Sequence, residues 1–360
     1  MILQLFEWMV ATIGQWPSVV LFFLVGIAGL NYGADWLVDG ASNIGFRFGI
    51  SAAMIGLTVV AFGTSAPELV VSVMTALQGK PEICLGNVVG SNIANTALIL
   101  GATAIIFPIN VSKDAVNYDA PISFFAIATV LALALIGSTI SRLDGLILLG
   151  IFTTWMIWLV RKSLREASLV RKERKEQAAA KEAARAEGAG EVEEEELHFH
   201  PRPMWMDAAL ITVGLVALVF GADALVIAAV AAARALAVPE VVVGLTIVAG
   251  GTSLPELAVG LMAALKRNAD ITVGNVMGSN IFNGFLILGV AAVLAPIAFN
   301  VNGFAWSGDA GTLYVDIPFC VFVCALVIPM MRHNQQISRA KGGVLLLLYL
   351  GYLVTLVLRQ

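Results

Sequence analysis

Two glutamates stand in surroundings that give an ionised acid no help from water. Glu68 lies within VVAFGTSAPELVVSVM and Glu256 within IVAGGTSLPELAVGLM, each about midway along an apolar run long enough to cross a bilayer. An ionised carboxylate at that depth is costly, and acids found there are functional by default. Lys and Arg appear only near the ends of these runs, so the compensating charge must be a bound cation or a proton. Thr64 and Ser65 precede Glu68 by four and three residues, as Thr252 and Ser253 precede Glu256. On a helix that spacing puts the hydroxyls on the same face as the acid. Pro67 and Pro255 cannot donate to the carbonyls of Gly63 and Gly251. Freed carbonyls at membrane depth are tolerated where they line a cavity or face an ion. The next runs carry Ser91 with Asn95, and Ser279 with Asn283, again four apart. Gly86, Gly90, Gly274 and Gly278 on the same runs permit close helix approach.

The set is one of oxygens alone: carboxylates, hydroxyls, amides and backbone carbonyls. Hard cations such as Ca²⁺ and Na⁺ prefer oxygen, whereas zinc or copper would call for Cys or His. Two carboxylates balance one Ca²⁺, or Na⁺ ions spread over more than one oxygen site. Ligands shared between two loads make the loads compete, and competition with alternating access gives exchange. Ser, Thr and Asn also bond helix to helix in ordinary membrane bundles. Here the whole constellation is doubled around two buried acids, which favours ion binding.

The elements that hold these residues follow from composition. Of 360 residues 59% are hydrophobic and 13% charged, with a mean hydropathy of +0.89. Soluble domains carry about 45–50% apolar and about 25% charged residues, so a polytopic membrane protein is indicated. Crossing a ~30 Å hydrocarbon core takes ~20 residues per helix. Ten spans meet this, near 17–39, 52–77, 86–107, 120–138, 143–161, 206–232, 241–265, 274–296, 313–331 and 342–358. The N-terminal run lacks a basic n-region and a small-residue cleavage site, so it reads as a retained helix. Between the fifth and sixth spans, Arg161–Pro203 holds ten Lys/Arg and ten Asp/Glu. Its first part is rich in helix formers and extends the fifth span into water. The acidic remainder, with Glu193–Glu196, His198 and His200, reads as a solvated linker rather than a metal site. The excess of Lys and Arg places this loop in the cytoplasm of a bacterial-type inner or plasma membrane, with both termini outside.

The chain repeats itself. The 46 residues from Gly56 and the 46 from Gly244 align without a gap at an offset of 188, with 28 identities. The same offset pairs Gly33-Ala34-Asp35 with Gly221-Ala222-Asp223. Further on an offset of 197 pairs Asp119 with Asp316 and Ser141-Arg142 with Ser338-Arg339. The expected domains are therefore 1–160, a first five-helix repeat; 161–203, the charged cytoplasmic loop; and 204–360, a second five-helix repeat. Five is odd, so the copy must insert upside down. An all-α protein of ten transmembrane helices in two inverted repeats is the architecture of secondary transporters, with a site near the midplane.

The paired motifs GTSAPE with GNVVGSNIAN, and GTSLPE with GNVMGSNIFN, resemble the α-repeats of the calcium/cation antiporter superfamily, in its sodium/calcium exchanger branch. The resemblance implies cation coordination by Glu68 and Glu256, with oxygens from Thr64, Ser65, Thr252 and Ser253. It also implies roles for Ser91, Asn95, Ser279 and Asn283, and for the carbonyls of Ala61 and Ala249. The long first helix of each half is expected to slide across the rest and switch access. Asn283 stands where some relatives, including potassium-dependent ones, have Asp, and Gly260 stands where its repeat mate is Ser72. The implied activity is exchange of sodium for calcium, with proton-coupled exchange and then a cation channel as alternatives. No enzyme chemistry and no cofactor are expected: His198, His200 and His333 lie outside the spans. Expected partners are Ca²⁺, Na⁺ and the bilayer, without nucleic acid, as a monomer or weak oligomer. Asp35 and Asp223 read as snorkelling or capping acids, Asp119 and Asp316 as helix-start acids, and Cys84, Cys320 and Cys324 as packing residues.

Overall fold

A chain in lipid has no water to satisfy its backbone, so it must close its amides on itself, and helices do this within one segment. The computed structural model describes residues 1–137, 139–186, 202–236, 251–298 and 311–359. In chain order its helices are α1 (Ile2–Ile13), α2 (Gln15–Phe48), α3 (Ala52–Thr64), α4 (Ala66–Leu77), α5 (Ile83–Ile106) and α6 (Ala115–Ile136). Then come α7 (Arg142–Ala186), α8 (Met204–Ala235), α9 (Leu254–Leu265), α10 (Ala269–Leu294), α11 (Thr312–Gln335) and α12 (Arg339–Leu358). Among the described residues eight helices are long and apolar enough to cross a membrane, and α3 with α4 makes a ninth span bent by 44°. The outer surface is apolar, with Phe23, Leu24, Phe125, Leu143 and Leu347 exposed, while the polar side chains gather inside. That inversion of the soluble pattern marks the solvent as lipid.

One element departs from the expected spans. A short apolar helix, α1, precedes α2 and is separated from it at Gly14, whose φ of 92° is the left-handed region that favours glycine. The helix of the fifth span runs on past residue 161 to Ala186, as its helix-forming composition predicts. The seventh span, expected over 241–265, is described only from residue 251. Glu193–Glu196, His198 and His200 also lie outside the described residues.

The first long helix of each half packs on the other with almost no side chain between. A Cβ at Gly29 would sit 2.8 Å from Gly221 Cα, and one at Gly33 2.8 Å from both Gly214 O and Leu218 N. Gly26 faces Leu225 and Gly40 faces Asp207, so α2 and α8 run antiparallel along their contact. Small residues allow this approach where lipid offers no hydrophobic drive for association. One end is tied by polar groups. The buried Asp207 carboxylate accepts from Asn43 Nδ2 at 2.9 and 2.8 Å and from Arg202 Nε at 2.9 Å, and Arg202 pairs with Asp39 at 2.8 Å.

Four two-residue strands bind the halves at their margins. Strand β1 (Ile109–Asn110), after α5, pairs with β4 (Gln336–Ile337), after α11; β2 (Thr139–Ile140), after α6, pairs with β3 (Ile297–Ala298), after α10. Both ladders are antiparallel.

Candidate functional site

The two repeated motifs meet in the middle of the bundle. The helix carrying the first acid breaks at Ser65 (φ −84°, ψ 4°), and α4 restarts with Pro67 in its first turn, where a missing N–H costs nothing. Ser253 (φ −90°, ψ 5°) breaks the second motif in the same way before α9. Glu68 and Glu256 thus each sit in the first turn of a helix inside the bundle, and both are 1% exposed. Among the described residues neither has a basic partner.

The hydroxyls are arranged differently from the single-helix expectation. Thr64 and Ser65, at the break, lie beside the acid of the other motif. Ser65 Oγ donates to Glu256 Oε1 at 3.4 Å, and Thr64 also lies beside Glu256. Reciprocally, Thr252 of the second motif lies beside Glu68, with Ser91. Each carboxylate therefore has a hydroxyl of the opposite half beside it, and Glu68 has Ser91 of its own half as well, which spacing along one helix does not reveal.

On the repeated motifs, buried polar atoms stand without a hydrogen-bond partner among the described residues: both carboxylate oxygens of Glu68, Oε2 of Glu256, the hydroxyls of Ser91, Ser253 and Ser279, and the amide oxygens of Asn95 and Asn283. Leaving one such group unsatisfied in a protein interior costs about 1–3 kcal/mol, so so many together mark a place meant for something else. These are acceptors or hydroxyls able to accept, which is the donor set of a hard cation, while the Nδ2 groups of Asn92 and Asn275 are also without a partner among the described residues. The Ala61 carbonyl accepts from Ser65 N at 3.0 Å and from the Thr64 hydroxyl at 3.4 Å. Ala249 lies outside the described residues.

Local helix geometry presents these oxygens. Residues Ala94–Ile99 and Phe282–Ile287 form π-turns, as do Gly56–Val60, Ala115–Asp119 and Thr312–Asp316. Such turns recur at functional sites. Asn95 and Asn283 each occupy the second position of one, 188 residues apart. Gly274 and Gly278 let α10 press onto α3, where a Cβ at either would fall within 2.5 Å of a backbone oxygen of Ala53 or Leu57. Gly86 and Gly90 have no described atom within 4 Å of that position.

Four further asparagines, passed over in the sequence, line the same region. Asn87 Nδ2 donates to Ser72 Oγ at 2.9 Å and to the Glu68 carbonyl at 3.2 Å, and Asn275 Oδ1 accepts from Thr64 at 3.2 Å. Asn92 and Asn280 contact Asn283 and Asn95. Their signal was present, since all four repeat at the offset of 188. Of the other acids, Asp35 does not snorkel freely but pairs with Lys266 at 2.7 Å, and Asp316 pairs with Arg359. Cys84, Cys320 and Cys324 are buried free thiols. A cavity of about 630 Å³, lined by Pro67, Asp223, Gly251, Thr252 and Pro255, reaches from the surface to Thr252 beside Glu68.

Residues 18–161 and 206–358 match the family model described as sodium/calcium exchanger protein. The chain belongs to that family. Sodium/calcium exchanger MaX1 of Methanosarcina acetivorans is 30% identical over 93% of this chain and 97% of its own length. Inner membrane protein YrbG of Escherichia coli is 31% identical over 89% of this chain and 91% of its own length. A structure of the sodium-calcium exchanger NCX_Mj, soaked with Na⁺ and Sr²⁺, superposes with a TM-score of 0.73 at 29% identity, covering 93% of this chain and 98% of that one. The family is one of membrane transporters. This chain is accordingly a multi-pass, all-helical membrane antiporter of the cation/calcium exchanger type.

Proposed function

We propose that this antiporter exchanges sodium for calcium by alternating access at the oxygen site between Glu68 and Glu256. The observation that carries the proposal is the pair of buried carboxylates without a basic partner or, at three of their four oxygens, any hydrogen-bond partner among the described residues. The proposed ligands are Glu68, Glu256, Thr64, Ser65, Thr252, Ser253, Ser91, Asn95, Ser279 and Asn283, with the carbonyls of Ala61 and Ala249. Bound Ca²⁺ would neutralise both acids at once. Sodium ions would use the same carboxylates with the outlying hydroxyls and amides, so that neither load binds well beside the other. The cavity ending at Thr252 supports an entry route from one side.

The architecture we propose is ten transmembrane helices in two inverted repeats. Two features support it. Helices α2 and α8, the first long helices of the two halves, run antiparallel. Strand β1 follows the third span of the first half yet pairs with β4, which follows the fourth span of the second. Spans of unlike order end on one side only if one half is upside down. We place the 161–203 loop in the cytoplasm and both termini outside, from the excess of Lys and Arg in that loop and in the short loops on its side.

Flux in proteoliposomes tests the coupling. Calcium uptake is expected into sodium-loaded vesicles and not into vesicles loaded with potassium alone. Equal uptake driven by a proton gradient, with sodium inert, would replace sodium with proton coupling.

A further inference from the structure

An amide is a cation ligand only when its oxygen, not its NH₂, faces the ion. Asn95 and Asn283 are both buried at 1% exposure, and in both the oxygen is the atom left without a partner. Their NH₂ groups are engaged elsewhere. Asn95 Nδ2 donates to Asn280 Oδ1 at 3.3 Å, and Asn283 Nδ2 donates to Asn92 Oδ1 at 2.9 Å. Asn92 and Asn280 are fully buried and are themselves repeat mates, so each half supplies the acceptor that orients the other half's amide. We infer that Asn92 and Asn280 are positioning residues that set cation affinity without touching the cation, by holding the Asn283 and Asn95 oxygens toward it. This rests on the proposed cation site.

The two halves of the device are unequal. Asn280 is itself fixed, since its Nδ2 donates to Thr96 Oγ1 at 2.8 Å, and Thr96 lies 3.7 Å from Cys324 Sγ. The repeat mate of Thr96 is Gly284, and Asn92 Nδ2 has no partner among the described residues. Gly284 has no room for the missing side chain, because a Cβ there would fall 2.9 Å from Ala126 Cβ. The Asn283 oxygen is thus aimed by one hydrogen bond, and the Asn95 oxygen by a chain of them.

The test uses the full-length protein in detergent, with Ca²⁺ alone as the probe. Calcium-dependent thermal stabilisation and calorimetry read binding, and sodium-driven uptake reads transport. Asn92→Leu and Asn280→Leu are close in shape but cannot accept. Each is expected to weaken Ca²⁺ binding about 10–100-fold, the usual cost of losing an outer partner of a metal ligand. The change in transport is expected in KM rather than kcat. Asn92→Asp keeps an accepting oxygen and should recover most of the affinity. Thr96→Val, which releases Asn280 while preserving shape, should shift affinity in the same sense by a smaller factor. Unchanged Ca²⁺ affinity in the Leu variants overturns the inference, as does an equal loss in Asn92→Leu and Asn92→Asp. Should the Leu variants fail to fold, unchanged affinity in Thr96→Val overturns it. Glu68→Gln separates this from the site itself: if Ca²⁺ stabilises Glu68→Gln as it does the wild type, the cation site falls, whatever the asparagine variants do.

Discussion

At the scale of the residue, the decisive fact is that two acids share a buried place with no cation of the protein's own. Glu68 and Glu256 were legible in the sequence because charge is so scarce in the spans that each exception stands out. Their neighbours were legible by type and repetition, but not by partner. Which hydroxyl serves which acid depends on a helix break at Ser65 and on how two halves face each other, and neither is a property of spacing. Two buried carboxylates with no basic partner among the described residues give an opposed pair of outcomes for Glu68→Gln and Glu256→Gln. Transport is expected to fall about 100-fold or more, since a carboxylate–cation contact at low dielectric is worth several kcal/mol. Without divalent cation, each variant should melt no lower than the wild type, because one of two like buried charges has gone. Adding Ca²⁺ should then raise the wild-type melting temperature and leave that of the variants nearly unchanged. A variant that melts well below the wild type in cation-free buffer would make these acids structural.

At the scale of the element, apolar length located the spans, because the cost of crossing lipid is set by length and hydropathy. It did not locate their interruptions. The π-turns at Ala94–Ile99 and Phe282–Ile287 insert a residue without any Pro or charge to announce it. The separation of α1 from α2 rests on one positive-φ glycine among many. The run of α7 to Ala186 follows from its helix-forming composition, and that was readable. Glycines in α2 and α12 look alike in sequence but differ in what they meet. A Cβ at Gly33 strikes the backbone of α8, which cannot yield, whereas one at Gly351 meets nothing within 4 Å. Gly33→Ala is therefore expected to cost about 1–3 kcal/mol through overpacking. Gly351→Ala should be neutral or stabilising through helix propensity. Thermal melting in one detergent compares the two directly, and equal melting temperatures would mean that α2 and α8 are not packed backbone to backbone.

At the scale of the whole molecule, the two halves are fastened to each other by direct contacts among the described residues. Helices α2 and α8 lie in contact along their glycines, and the Asp207 knot ties one end. The paired strands β1–β4 and β2–β3 fasten the margins. The proposed site takes its acids, hydroxyls and amides from both halves, so neither half would hold a complete set. Twenty of the 46 charged residues lie in the connecting Arg161–Pro203 segment, yet none belongs to that set. The connector should then be needed to deliver two halves in equal number and not to hold them together. Cutting the chain within 187–201 and co-expressing the two pieces is expected to give a complex that co-purifies through a tag on either piece. Reconstituted, it should retain most of the sodium-driven calcium uptake, while each piece alone shows none. Pieces that co-purify but do not transport would assign the connector a part in switching access. Pieces that do not associate would mean that the contacts between α2 and α8 and between the strands are too weak to assemble the site.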